Sequence, residues 1–200
     1  LLLFGIFASS FTFAQDCSEL FISEYVEGVG NNKALEIYNP TDASIDLSEY
    51  MIIRYGNGAT SATASNAVQL TGTIGAKDVH VGVLDKQDPN GTGNDVPVWD
   101  ELAAIADEFY CPDYATSNAW YWNGNDAVVL AKGTVNDINN SQLIDIFGKI
   151  GEDPGVAWTS IAPFTGAGDE VTKDHSMIRK TTVLAGETNP IISEFDPLME

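Results

Sequence analysis

Oxygen-bearing side chains crowd one short stretch of the 200-residue chain and are the first candidates for chemistry. Their carboxylate and amide oxygens could bind calcium, a hard cation that prefers such ligands. No register of the stretch reproduces the spacing of an EF-hand loop, so a solvated acidic turn is the competing interpretation. The five candidate ligands are Asp85, Asp88, Asn90, Asn94 and Asp95.

Histidine, the usual general base, occurs only at His80 and His175. His80 lies inside a valine-rich segment, where a solvent-facing or hydrogen-bonded structural role is the simpler interpretation, and His175 follows Asp174 at the start of a predicted strand. Neither is accompanied by a Gly-x-Ser-x-Gly motif, a His-Glu-x-x-His motif or a glycine-rich phosphate loop. The sequence therefore predicts no catalytic residue and no bound cofactor beyond the weak calcium candidates.

The consecutive aromatic residues Trp120, Tyr121 and Trp122 could stack against a sugar ring. In a strand, however, neighbouring side chains point to opposite faces, and a buried tryptophan supplies a large apolar surface to the core. We therefore expect Trp122 to pack in the core and Tyr121 to point the other way.

Two cysteines, Cys17 and Cys111, are the candidates for a disulfide in an exported protein. Closing so long a loop would stabilise the fold by about 4 kcal/mol in the chain-entropy account. Two unrelated free thiols are the alternative, and the sequence does not decide between them.

Residues 1–14 differ from the rest of the chain and are typical of a signal peptide. Leu1 to Phe7 are almost entirely apolar, and Thr12 and Ala14 are small residues where signal peptidase prefers them, so cleavage is expected after Ala14. The apolar run is shorter than the roughly 20 residues that a transmembrane helix needs. Because the basic opening segment is absent, we expect an N-terminally truncated leader on a secreted, extracellular or cell-surface protein.

The elements that must position these residues are mostly strands, separated by turns rich in glycine, asparagine and aspartate. Residues 98–109 carry apolar side chains at helical spacing and predict one helix, which follows a polar loop at 85–95. This pattern predicts an all-β, two-sheet antiparallel sandwich with one short helix in a long insertion between strands. The predicted strands span 20–26, 34–38, 50–55, 68–70, 79–83, 127–131, 143–147 and 176–180.

Apolar positions of different strands should meet between the sheets, because a sandwich buries one face of each sheet against the other. A register shift of one residue would turn a whole strand to the opposite face, so this set also tests the assigned faces. We expect one shared core that contains Leu35, Ile37, Ile52, Val81, Val129, Ile146 and Ile178.

The excess of acidic over basic residues excludes some classes of binding partner. The chain has 9 Lys and Arg against 29 Asp and Glu, a net charge of −20 at pH 7. Affinity for a phosphate backbone comes mainly from basic side chains, so this balance argues against nucleic-acid binding and against docking on an anionic membrane. A hydrophobic content of 44% argues against disorder.

Several segments resemble the lamin tail domain, in the form found in secreted bacterial proteins. The specific motifs are LFISEY at 20–25, NNKALEIYNPT at 31–41, IDLSEY at 45–50, NGNDAVVL at 123–130 and IDIFG at 144–148, followed by weaker matches at 153–158, 177–180 and 189–197. The resemblance implies an immunoglobulin-like sandwich without catalytic residues. Bacterial members commonly lie beside nuclease, phosphatase or other hydrolase domains and are thought to act in adhesion or targeting. Eukaryotic relatives are linked to chromatin, which the acidic charge argues against here.

Two functions follow as hypotheses. The first is a non-catalytic, exported binding, adhesion or targeting module at 15–200 whose partner is an extracellular protein or a glycan. The alternative is an N-terminal accessory domain of a secreted hydrolase, a nuclease or phosphoesterase, whose active site lies beyond Glu200. In both cases we expect the domain to continue past the last residue. The sequence that follows Glu200 would separate the two.

Overall fold

Strands dominate the computed structural model, which describes residues 18–198. The predicted leader and Cys17 lie outside these residues. Within them, no helix has the length and apolar content that a bilayer span requires. The strands are Phe21–Glu27 (β1), Lys33–Tyr38 (β2), Ile45–Asp46 (β3), Tyr50–Tyr55 (β4), Ala67–Gln69 (β5), Thr73–Ile74 (β6), Val79–Leu84 (β7), Glu108–Tyr110 (β8), Ala127–Lys132 (β9), Gln142–Phe147 (β10) and His175–Ile178 (β11), and the helix is Asp100–Ala103 (α1).

The strands form a sandwich of two sheets. One sheet has the order β11-β1-β2-β7-β8, the other has the order β10-β9-β4-β5, and β3 and β6 form a separate small ladder. Every strand pair is antiparallel except β7 with β8, which is parallel. The predicted all-β, immunoglobulin-like sandwich is therefore confirmed, with one parallel edge strand that the sequence analysis did not anticipate.

Large aromatic side chains fill the space between the sheets. Trp120 and Trp122 are fully buried, as expected for Trp122. Tyr25 of β1 stacks on Phe147 of β10, with ring centroids 3.9 Å apart, and so joins the two sheets. Gly82 of β7 makes room for this packing, because a Cβ there would lie 2.7 Å from the Trp120 ring.

The predicted core is right in part. Leu35, Ile37 and Ile52 are completely buried between the sheets. Val129 and Ile146 are also buried, but they lie on the other face of the second sheet, in a separate cluster with Met51 and Ile53. Because this sheet is buried on both faces, its strands carry apolar side chains on both faces, and alternation does not reveal which face meets the partner sheet.

The two remaining core candidates lie on the outer face of the first sheet. Val81 is half-buried beneath the segment that contains α1. Ile178 is 71% exposed, because it pairs with Glu24 of β1, whose side chain also faces outward. Placing Ile178 in the shared core was wrong, since the register of β11 turns it to the outer surface.

The predicted helix at 98–109 is shorter than expected. Helix α1 covers only Asp100–Ala103, and the end of the segment instead forms β8 along β7, starting with a hydrogen bond from Asp107 N to Val81 O. The helically spaced residues Leu102, Ala106 and Phe109 still pack on the outer face of the sheet. Pairing with an open sheet edge therefore overrides the local helical preference, as tertiary contacts often do.

A buried carboxylate ties β10 to the first sheet and to the chain that follows β11. Asp145 is 0% exposed and sits at a bulge in the β9–β10 pairing. Its oxygens accept hydrogen bonds from the backbone nitrogens of Ile22 and Glu187, each at 2.8 Å, and pair with the Arg179 guanidinium. We call these contacts the Asp145 network.

Candidate functional site

Loops from both sheets converge at one end of the sandwich. Strands β1, β4, β7 and β10 end there and β2, β9 and β11 begin there, so sequence-distant turns become neighbours, as at one end of other sandwiches. Between these loops lies an open cavity of about 450 Å³, which we call the basin. Its lining is mostly polar: Asn31, Arg54, Asn57, Lys86, Asn94, Asp95, Pro112, Asp113, Tyr114, Tyr121 and Asn123.

Arg54 approaches the basin from the end of β4. Its Nη1 donates to the Tyr121 carbonyl and lies 3.4 Å from the Asp126 carboxylate, and its guanidinium carbon is 5.9 Å from the centre of the Tyr114 ring. Burial raises the pKa of Asp126, although Arg54 acts in the opposite direction. Among residues 18–198, the buried Nε of Arg54 has no hydrogen-bond partner. Arg54 is therefore held in place by the fold with unused hydrogen-bonding capacity.

Lys86 lies on the opposite side of the basin, after β7. Its ammonium group bonds to Asp95 Oδ1 at 2.6 Å and to the Pro112 carbonyl at 2.9 Å. It also lies 5.7 Å from the centre of the Tyr121 ring. Since Arg54 and Lys86 each face a carboxylate, the basin is polar without being strongly positive.

Two tyrosines form an aromatic corner of the basin. Tyr114 is 53% exposed and meets Tyr121 edge to face, with ring centroids 4.9 Å apart. The Tyr121 hydroxyl donates to the Cys111 carbonyl at 3.0 Å, which fixes that ring. Residues 120–122 lie outside the strands, so the alternation expected there does not apply. Tyr121 packs partly against the core cluster of Trp120 and Trp122, and it also lines the open basin, where a ligand could stack.

Asparagine amides complete the lining. Asn31 uses its amide nitrogen to bond the carbonyls of Asn94 and Val96, which holds the 85–96 loop against the β1–β2 turn. The side chains of Asn94 and Asn123 are exposed and make no hydrogen bond to any residue that the structure describes. Each amide offers both donors and an acceptor, so together they suit a ligand rich in hydroxyl groups.

The calcium candidates do not converge on one point. Asp85 accepts from the Gln87 amide, Asp88 caps the turn at Asn90, and Asp95 pairs with Lys86. Asn94 faces the basin, and the other four candidates line a neighbouring shallow cavity. Within residues 18–198, no cluster of three or more His, Cys, Asp or Glu side chains could hold a metal ion. The contacts favour the acidic-turn interpretation, and calcium binding stays an untested prediction.

The histidines and Cys111 lie away from the basin lining. His80 is buried and bonds the Tyr110 hydroxyl at 3.0 Å, and burial lowers its pKa. This is the structural role that the sequence suggested. His175 begins β11 and is exposed. Cys111 is buried, and because Cys17 lies outside the described residues, the disulfide stays a prediction.

Sequence reasoning singled out Tyr121, Asn94 and Asp95 but missed most of the basin. Arg54 and Lys86 were not proposed as site residues, because a single basic residue at a strand end carries no local signal. Tyr114 and Asn123 lie in turns whose composition predicts only loops. The basin is assembled from positions 31 to 123, and only the sheet pairing brings them together.

A protein-family model agrees with this architecture. A family model described as Lamin Tail Domain matches residues 14–149, which is more than half of the chain and includes the whole basin. Curated proteins show no significant match. A solved structure of a DUF4876 family protein from Bacteroides thetaiotaomicron is similar at 11% identity, with a TM-score of 0.38. That match covers 68% of this chain and 54% of the other, so this chain spans about half the length of the solved chain.

Proposed function

The chain belongs to the lamin tail domain family, and on this premise we propose that it is an exported binding module whose ligand is a glycan held in the basin. The family is one of non-catalytic domains. Export is supported by the signal-peptide pattern of residues 1–14. The proposal concerns this domain, whether or not a catalytic domain accompanies it in the whole protein.

The observation that carries the glycan proposal is the tyrosine corner beside unpaired amides. The C–H faces of a sugar ring are apolar, so they pack against an aromatic ring such as that of Tyr114, which is exposed. The hydroxyl groups at the rim of the sugar need donors and acceptors, which Asn94 and Asn123 can supply. Such a mixture of a few oriented polar groups and aromatic surface is typical of sites for small organic ligands.

Electrostatics favours a neutral or weakly acidic glycan over nucleic acid. Arg54 and Lys86 are each paired with a carboxylate, so little positive charge is left for a row of phosphates. The net charge of −20 adds a repulsion that decays over about 8 Å at about 0.15 M salt. We therefore expect no tight binding of duplex or single-stranded DNA at about 0.15 M salt.

Affinity gel electrophoresis against a panel of soluble neutral and uronic-acid polysaccharides tests the proposal. At least one polysaccharide should retard the wild-type protein. Tyr114→Ala should weaken this retardation about tenfold, which corresponds to about 1.4 kcal/mol. Asn123→Ala should weaken it by a smaller factor. Parallel gels with and without calcium show whether the 85–95 loop contributes.

The matched control is Ile191→Ala, because Ile191 is 84% exposed and does not line the basin. This variant should migrate as the wild type in every gel. Retardation by no polysaccharide, or equal retardation of wild type and Tyr114→Ala, would contradict a glycan site in the basin. Tight, salt-sensitive DNA binding would instead show a basic face and overturn the electrostatic argument.

A further inference from the structure

A second concave surface lies on the outer face of the first sheet, away from the basin. It runs between β1 and β2 on one side and the segment around α1 on the other, and it encloses about 440 Å³. We call it the groove. Its floor and walls are apolar and include Val26, Ala34, Val81, Trp99, Leu102 and Ile105.

The apolar surface of the groove is open to solvent. Trp99 and Ile105 are each 61% exposed, and Val29 at the same groove is 63% exposed. Exposed apolar residues that are scattered singly are ordinary, but several that converge in one concavity mark an interaction surface. The backbone beneath Trp99 is fixed, because its nitrogen donates to Asn32 Oδ1 at 2.8 Å. The indole is thus presented by a rigid support and is free to pack on a partner.

Carboxylates border this apolar surface. Glu24 and Glu36 lie opposite each other in the β1–β2 pairing, and Glu101 and Asp174 also line the groove. In the described part of the chain, none of the four forms an ion pair, and no lysine or arginine lines the groove. His175 also lies along it.

The crowding of these acids is visible in Glu24. Partial burial, and then the neighbouring charge of Glu36, raise the pKa of its carboxyl group. Elsewhere the buried acids have partners, such as Lys33 for Glu27 and Arg179 for Asp145. The groove therefore combines the exposed apolar side chains of Trp99, Ile105 and Val29 with carboxylates that form no ion pair within the described chain.

We propose that the groove docks a segment of a partner protein that carries apolar side chains flanked by lysine or arginine. The apolar side chains would cover the floor and pack on Trp99, and the cations would lie near Glu24 and Glu36. A cation placed over the indole face adds a further attraction. This surface is separate from the basin, so the inference goes beyond the proposed glycan function.

Charge complementarity selects this occupant over the other candidates. A second copy of the chain would bring another excess of acids, since each copy carries a net charge of −20. An anionic membrane surface would be repelled by the same border. A basic and apolar segment supplies both features that the groove lacks, a cover for its floor and counter-charges for its border.

Fluorescence anisotropy with three labelled short peptides of equal length tests the proposal at about 0.15 M salt. One peptide alternates leucine and lysine, one alternates serine and lysine, and one alternates leucine and glutamate. The leucine–lysine peptide should bind the wild-type protein at least about tenfold more tightly than the serine–lysine peptide, which has the same charge. The leucine–glutamate peptide should not bind.

Variants locate the binding. Trp99→Ala should weaken binding of the leucine–lysine peptide by about tenfold, and Glu24→Gln with Glu36→Gln should weaken it severalfold. Leu184→Ala controls for loss of an exposed apolar side chain, and Asp169→Asn with Glu170→Gln controls for loss of two exposed charges away from the groove. Both controls should bind as wild type.

Equal binding of the leucine–lysine and serine–lysine peptides would overturn the proposal, because net charge alone would then explain the association. An equal loss in the double charge control would overturn it for the same reason. So would unchanged binding in Trp99→Ala. The affinity gels measure polysaccharide binding at the basin, and the anisotropy experiment measures peptide binding at the groove. Either proposal can therefore fail without the other.

Discussion

The Asp145 network and the basin are two regions where the fold partly removes charged groups from water, and they treat those groups in opposite ways. In the network, both oxygens of Asp145 accept backbone hydrogen bonds and also face Arg179. In the basin, Arg54 is also paired, yet its buried Nε has no partner among the residues described, and exposed amides beside it are unpaired.

The difference separates structural polar groups from binding polar groups. A buried polar atom without a partner costs about 1–3 kcal/mol. Among the described residues, the Nε of Arg54 shares this state with buried atoms of Tyr25, Trp120 and Asn125, so the exposed amides of the basin carry the contrast. Both oxygens of Asp145 are used by hydrogen bonds within the fold, so the Asp145 network should matter to stability alone. The exposed basin side chains of Asn94, Tyr114 and Asn123 have few contacts within the fold, so they should matter to ligand binding more than to folding.

The largest effect is expected from Asp145→Ala. This change removes the buried carboxylate that pairs with Arg179 and that accepts hydrogen bonds from the nitrogens of Ile22 and Glu187, so it should lower the free energy of unfolding by about 3–5 kcal/mol. Urea denaturation followed by tryptophan fluorescence measures the loss. Asp169→Ala, at an exposed acid, is the control and should change little. A loss below about 1 kcal/mol for Asp145→Ala would remove the contrast between the two regions.

A smaller effect is expected from Gly186→Ala, at the edge of the same network. A Cβ at Gly186 would lie 2.4 Å from the Ile144 carbonyl and 2.5 Å from Asp145 Cβ, so the chain after β11 would have to move. We expect a loss of about 1–3 kcal/mol, as for other overpacked sites. Gly166→Ala is the matched control, since a Cβ there meets nothing within 4 Å. Equal unfolding midpoints for the two variants would show that the chain after β11 moves to accommodate the added Cβ at little cost, which would contradict the prediction.

His80 is intermediate between the two regions, because it is buried with one side-chain partner, Tyr110. Burial lowers its pKa below the usual 6.5, so the unfolded chain takes up the proton first as pH falls. The stability that neutral His80 provides is therefore complete above 6.5 and is lost as pH falls through 6.5 toward the folded-state pKa. Melting temperatures between about pH 7.5 and about pH 5.5 should fall more steeply for wild type than for His80→Gln. Parallel profiles would contradict this role.

The smallest effect on stability is expected from Tyr114→Ala. Its ring is 53% exposed, and its contact with Tyr121 lies at the surface, so unfolding should change by less than about 0.5 kcal/mol. The same variant should lose most of its polysaccharide retardation. A large loss of stability together with the loss of binding would show that Tyr114, like Asp145, stabilises the fold. This result would contradict the distinction between the basin and the Asp145 network.

Hydrophobic alternation predicted the strands well where turn-forming residues mark the strand ends. The predicted strand at 34–38 and the observed β2, Lys33–Tyr38, agree because Asn-Pro ends the alternation sharply. The helical spacing of apolar residues at 98–109 gave a prediction of one long helix, which is wrong at its end. The edge of the sheet at β7 offers backbone hydrogen-bond partners that the local sequence does not reveal. The core position predicted for Ile178 is wrong for a similar reason, since the face that Ile178 occupies depends on the register of β11 with β1.

The Asp145 network and the basin could not be predicted from the sequence for a related reason. Asp145 stands between two isoleucines in a strand whose sequence does not reveal its inner face, and the bulge beside it is visible only in the structure. Arg54 lies at the end of β4, whereas Tyr114 and Asn123 lie in the segment between β8 and β9, so their approach depends on the complete sandwich. The family resemblance supplied the sandwich from the sequence, but it assigned no ligand residues.

Side-chain amide signals in a ¹⁵N NMR titration test the central claim most directly, namely that the unpaired groups of the basin are there to meet a ligand. The protein would be titrated with an oligosaccharide from whichever polysaccharide retards it. The amide signals of Asn94 and Asn123 should shift, and that of Asn39 should stay still, because its amide nitrogen already bonds the carbonyls of Ala43 and Gly75 at 2.8 Å. Shifts confined to residues outside the basin, with Asn94 and Asn123 unmoved at saturation, would contradict the claim.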